Sequence, residues 1–205
     1  MLTRKIVTQA MSESDWDLGN KYLYDLCKKH PQHENYPEII AKIWIIGRTY
    51  AAAIERRKKD GNAVDGNFYT TRVAPLVWAS NIDAIFDDLR KIKQIDESTT
   101  PYLLKAHLEI MTLFNEISRM NKRSLASKYL HFHFPHLYFI YDTRAARGLS
   151  NLTKYTGRVR KTKYICDNEY RKLFEKCLAL RSSIKATYGL DLSPRQIDNI
   201  LLSMA

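Results

Sequence analysis

Between Lys122 and Leu149 the chain reads KRSLASKYLHFHFPHLYFIYDTRAARGL, and few backbone paths satisfy this stretch. Leu125, Tyr129 and Phe132 recur at helical spacing, which predicts a helix from Arg123 to His133 with one apolar face. Pro135 ends it, because proline has no amide hydrogen to donate and restricts the residue before it. Tyr138, Phe139, Ile140 and Tyr141 follow as a dense apolar connector, expected to be buried. Asp142 then stands at the N-cap position of a second helix, Thr143-Arg144-Ala145-Ala146-Arg147. Two readings of Asp142 follow. It can be a cap alone, or a carboxylate held at a helix mouth for chemistry, with a buried connector on one side and cations on the other.

The rest of the chain is punctuated in the same way. Ser14 or Asp15 can cap a helix running to His30, with Trp16, Leu23 and Leu26 as its apolar stripe and Pro31 as its end. Tyr36 to about Lys59 is expected as the longest apolar helix, with Ile39, Ile40, Ile43, Trp44, Ile46 and Ile54 inward. Its cationic end, with Arg48, Glu55, Arg56 and Arg57, reads as an ion-pair set. Asp60 to Asn67 is a turn-rich loop. Further helices are predicted over 68–80, interrupted at Pro75, and over 82–92, 100–120, 167–188 and 195–204. No segment alternates with a two-residue period, so the class is all-α, with nine helices. They form a compact multi-helix domain over 1–205, with lobes 1–98 and 99–205 on either side of the organising stretch.

Charge narrows the choice of partner. The chain has 33 Lys and Arg against 22 Asp and Glu, a formal charge of +11, which favours a polyanion. The excess is concentrated after Asp142: from Thr143 through Cys166 there is no acid. Seven cations lie in that span: Arg144, Arg147, Lys154, Arg158, Arg160, Lys161 and Lys163. Tyr155 and Tyr164 flank the densest part, and cations interleaved with rings suit a nucleic-acid strand. No run of eighteen apolar residues occurs, so no membrane span is expected. Cys27, Cys166 and Cys177 are odd in number and widely spaced, as in a reduced, cytoplasmic protein, nucleoid-associated if it binds DNA. His131 and His133 do not share a helix face, so no metal site is expected from them.

The organising stretch resembles the helix-hairpin-helix DNA glycosylases, the endonuclease III-like superfamily. Their pattern is Leu-Pro-Gly-Val-Gly-x-Lys-Thr-Ala, a helix, then Pro-x-x-Val-Asp-Thr-x-Val-x-Arg. Leu125-Ala126 stands for the Thr-Ala pair, Asp142 follows Ala126 by the same sixteen residues, and Asp142 to Arg147 matches the second half. The segment Ser118 to Ser124 takes the place of the hairpin and contains no glycine. The resemblance implies a helical glycosylase-like fold and a base-excision activity in which Asp142 is the catalytic carboxylate. It also implies backbone contacts from Lys122, Arg123, Ser124 and the basic run, and DNA as a partner rather than RNA. His131, His133 and Tyr141 become candidates for a base pocket. Ser124 falls where a Schiff-base lysine stands in some members, which implies base release without strand cleavage. No cofactor is called for, and three cysteines cannot supply the four that an iron–sulfur cluster needs. The alternative is a non-catalytic module of the same architecture that binds nucleic acid or a protein.

Overall fold

The computed structural model describes residues 2–56, 67–159 and 163–205, and among these every regular element is a helix. In order they are α1 (Arg4–Gln9), α2 (Asp17–Lys29), α3 (Tyr36–Thr49), α4 (Ala74–Trp78), α5 (Ile82–Lys91) and α6 (Thr100–Ser118). There follow α7 (Arg123–His133), α8 (Thr143–Ser150), α9 (Thr153–Thr156), α10 (Asn168–Tyr188) and α11 (Pro194–Ser203). A π-helical turn, Tyr69–Val73, runs directly into α4, so Pro75 opens a helix there instead of interrupting one. The two helices beyond the expected nine, α1 and α9, are too short to show a period. Most of the loop expected over 60–67 lies outside the described residues, as do Arg57, Arg160 and Lys161.

One contiguous core runs from Leu2 to Leu201 and joins the segments before and after residue 98. Helix α7 sits in its middle, packed by α2, α3 and α6, while α8 packs on α11, α9 and α10. Leu125, Tyr129 and Phe132 are buried as expected. Among the described residues no helix is long and apolar enough to cross a membrane. Two tryptophans assigned to buried stripes face outward: Trp16 is 76% exposed and Trp44 is 45% exposed. Trp16 lies just before the first turn of α2, outside the periodic face.

The connector after α7 is buried without being a strand, which raises the question of its backbone partners. Side chains supply several of them. Tyr138 carbonyl accepts from His131 Nδ1 at 2.8 Å, Phe139 carbonyl accepts from the Tyr170 hydroxyl at 2.9 Å, and Tyr141 amide donates to Ser127 Oγ at 2.9 Å. The connector is thus laid along α7 and α10 by residues of those helices. Its exit angle determines where Asp142 emerges.

Helix α3 stops at Thr49, ten residues before the expected end at Lys59, and the cause lies in the tertiary structure. Ala51 adopts a left-handed conformation, φ 51°, and Ala52 amide donates to Gly47 carbonyl at 2.7 Å. The chain therefore doubles back over Gly47, where a side chain's Cβ would meet Ala53 Cα at 3.2 Å. The carbonyls turned inward by this bend are taken up by two lysines, one at the N-cap of α7 and one within it. Lys122 Nζ donates to the carbonyls of Ala53 and Arg56, and Lys128 Nζ donates to that of Tyr50 at 3.1 Å.

Candidate functional site

Asp142 caps α8 through Oδ1, which accepts from Ala145 amide at 2.7 Å. Half-buried, the residue has extended backbone geometry, so the connector delivers it to the helix mouth as its sequence position predicts. Around it α7 and α11 contribute groups that sequence spacing did not bring forward as a set. Lys128, on α7, is buried and holds its amine between Tyr50 carbonyl and Ser124 Oγ, the latter at 2.8 Å. Burial lowers its pKa, and the negative charges of Asp142 and Asp198 partly restore it.

Asp198, on α11, is the second carboxylate of this cluster. It is buried, and Oδ2 accepts from Arg195 Nη1 at 2.7 Å. Desolvation pushes its pKa up to about 7, against the pull of Arg195, with Asp142 adding to the rise. Its Oδ1 and the Nε of Arg195 are buried without a hydrogen-bond partner. Tyr50 completes the wall: its hydroxyl donates to Asn20 Oδ1 at 2.5 Å, and burial raises its pKa to about 12. A charged residue three positions before Leu201, on the buried side of α11, was the available signal for Asp198. The pattern Arg-x-x-Asp pairs it with Arg195 on one face.

The remaining predicted residues divide among surface, core and undescribed positions. Arg144, Arg147, Lys154, Arg158 and Lys163 are exposed, while Arg160 and Lys161 lie outside the described residues. Arg158 joins Lys172 and Lys176 of α10 around a cavity of about 720 Å³, so part of the basic run faces further cations. Arg144 borders a different cavity, on the α11 side of α8.

Six of the expected site residues have partners within the chain: Lys122, Arg123, Ser124, Tyr141, His131 and His133. Lys122 was placed on a nucleic-acid surface but is 7% exposed, its ammonium capping the carbonyls of the bend after α3. Desolvation holds its pKa at about 8. Arg123 is committed to Asp167 by a two-point pair, 2.5 and 2.8 Å, which ties α7 to the N-cap of α10, and it stacks over Tyr141 at 5.3 Å. Tyr141 thus supports that guanidinium. The hairpin position therefore organises the interior, and Ser124 Oγ is taken by Lys128.

His131 is a core residue, whereas His133 is partly exposed and lines a cavity of about 370 Å³ with Tyr24, Phe86 and Arg90. His131 Nδ1 donates to Tyr138 carbonyl, which leaves Nε2 to accept from the Tyr24 hydroxyl at 2.7 Å. Burial depresses its pKa to about 4, so the ring is neutral. His133 Nδ1 donates to Tyr129 carbonyl at 2.8 Å, and desolvation keeps it neutral as well.

Comparison with family models, curated proteins and solved structures gives no match. What the site can do rests on its own chemistry. It offers one partly exposed carboxylate at a helix mouth, a buried amine and a buried carboxylate–guanidinium pair, with a cavity lined by Arg144, Arg195, Glu13 and Asp15 on the α11 side of α8. That is the equipment to hold an anionic ligand beside a carboxylate.

Proposed function

We propose that this protein binds nucleic acid and removes a base from it, with Asp142 as the carboxylate that acts on the sugar. The observation that carries the reading is the setting of Asp142: half-buried at the α8 mouth, within electrostatic reach of Lys128 and of the Asp198–Arg195 pair. As a base departs, its sugar carbon gains positive charge, and a fixed carboxylate stabilises that charge. The same group can take a proton from an attacking water. The exposed cations Arg144, Arg147, Lys154 and Arg158 supply the sequence-independent attraction to phosphate. Such enzymes take the target nucleotide out of the stack, so a cavity near the carboxylate is required.

A second reading, a non-catalytic binding module, is favoured by the inward Lys122 and the paired Arg123. A hairpin whose cations are spent on the interior has less to offer a DNA backbone. One experiment separates the two. Wild type and Asp142→Asn are incubated with DNA carrying uracil, alkylated or oxidised bases, and abasic sites are counted. Asparagine is an equally good N-cap, so the variant should fold normally. The enzymatic reading expects base release by wild type and a loss of at least a hundredfold, roughly the effect of removing one electrostatic stabiliser, in the variant. Wild type that binds DNA but frees no base would leave the binding module. Equal release by both proteins would remove Asp142 as the catalyst.

A further inference from the structure

A cavity of about 750 Å³ opens between the α1–α2 turn, the first turn of α8 and α11. Trp16, Arg144, Arg195 and Asn199 line it together with Glu13 and Asp15. None of the α1–α2 turn belongs to the motif discussed above. We propose that this cavity receives a single nucleotide unit, its phosphate held by Arg144 and its base laid on the indole of Trp16. The inference rests on the nucleic-acid reading and assigns it a place.

Three observations support it independently. The first is size: the volume is in the range of ligand pockets and exceeds what water-filled packing faults require. The second is unspent polarity. Arg195 lines the cavity and turns Nη1 onto Asp198, yet its Nε and Asp198 Oδ1 are buried without partners. Buried polar groups are normally paired, so the Arg195–Asp198 pair behind this wall is left incompletely satisfied by the protein. The third is the exposed indole. Trp16 presents 76% of its surface at the rim of the cavity, and a large flat ring beside a guanidinium is a stacking platform for a base.

Charge sets the orientation. Arg144 is exposed at the α8 side, where its guanidinium can meet a phosphate. Glu13 and Asp15 also line the cavity and disfavour a second phosphate. One phosphate and one base are therefore assigned to the cavity.

The test uses the full chain and a fluorescein-labelled octadeoxynucleotide, with free deoxycytidine monophosphate as competitor. Trp16→Ala and Arg144→Ala change exposed side chains, and circular dichroism confirms that both variants fold. Each should weaken octanucleotide binding about tenfold or more, the usual effect of losing one stacked base or one phosphate contact. Tyr102→Ala, which removes an equally exposed ring on α6, should bind as wild type does. Competition by the mononucleotide would show that the pocket accepts a free nucleotide, and its failure that a strand is needed. Wild-type affinity in both pocket variants, or no binding by wild type to either probe, would overturn the proposal. The base-release assay is scored separately. Weakened binding by the pocket variants of a wild type that frees no base keeps the pocket and ends the enzymatic reading. Base release with unaffected pocket variants does the reverse.

Discussion

Asp198 is the residue whose environment is most at odds with its chemistry. It is a carboxyl group buried on α11, satisfied on one oxygen by Arg195 and on the other by nothing. Asp142, Lys128, Arg144, Cys177, Tyr24 and Tyr50 surround it electrostatically. Its folded-state pKa of about 7 lies above the unfolded value near 3.9. Between those values the folded protein holds the proton that the unfolded chain has lost. Stability therefore falls as pH rises through that window and levels off above about 7. Asp198→Asn removes this linkage. Urea midpoints should be flatter between pH 5 and 8 in the variant, and the difference from wild type should favour the variant increasingly as pH rises. The change across the window is at most roughly 4 kcal/mol, from 1.36 kcal/mol per pKa unit. Parallel pH profiles for the two proteins would mean that the carboxylate stays ionised in place. Asp142→Asn makes a contrasting case at the same scale, since the cap is preserved and only the charge is lost.

At the level of elements, the pairing of α8 with α11 fixes the site, because it holds Asp142 and Arg144 against Arg195 and Asp198. Gly148 is the contact point. A Cβ built there would lie 1.9 Å from the carbonyl oxygen of Leu201 and 2.8 Å from its carbon. Helix propensity alone would make Gly148→Ala stabilising by about 1 kcal/mol. Contact with a backbone that cannot move aside should reverse the sign, with a net loss of about 3 kcal/mol in urea denaturation. A more stable variant would show that the two helices are not so close. Helices α3 and α7 make a similar pairing through polar groups, with Lys122 and Lys128 bonding the bend after α3. Lys122→Met keeps the stem's length and volume and leaves the carbonyls of Ala53 and Arg56 without their donor. It should lower stability by roughly 1–3 kcal/mol while leaving nucleic-acid affinity unchanged. A selective loss of affinity would restore Lys122 to the surface.

For the whole molecule, the formal charge of +11 sets the expected response to salt. Each phosphate neutralised releases counterions, so log affinity should fall linearly with log salt. Replacing Arg147, Lys154 and Arg158 with Ala should reduce that slope by roughly 2 to 3, the equivalent of three lost phosphate contacts. A slope equal to that of wild type would mean that the exposed cations after α8 only solvate the surface. The cavity bordered by Arg158, Lys172 and Lys176 predicts more: α10 should share in the footprint. Two of its cations, Arg171 and Lys172, already face Glu175 and Glu169, so Lys176 and Arg158 should dominate.

Local chemistry written in the sequence determined the helical class, the span of α7, and Asp142 as the cap of α8. A helical period, Pro135 and a short carboxylate before Thr143 act within a few residues of themselves, so no knowledge of the rest of the chain is needed. The accumulation of exposed cations on α8 and α9 was legible for the same reason, since charge is counted along the chain. Direction was not. Lys122 read as surface and Trp16 as core, because a side chain's destination depends on what packs opposite it. Only the bend at Ala51 presents Lys122 with carbonyls, and only the turn between α1 and α2 leaves Trp16 beside an open cavity. The end of α3 was illegible too, since its residues keep helical preferences past Thr49 and yield to contacts made far along the chain. Lys128, Asp142 and Asp198 come from three separate segments, and burial gives Lys128 and Asp198 shifted affinities for protons that exposed side chains would not have. Their meeting is a product of tertiary packing, which alone sets the distance and the dielectric between charges.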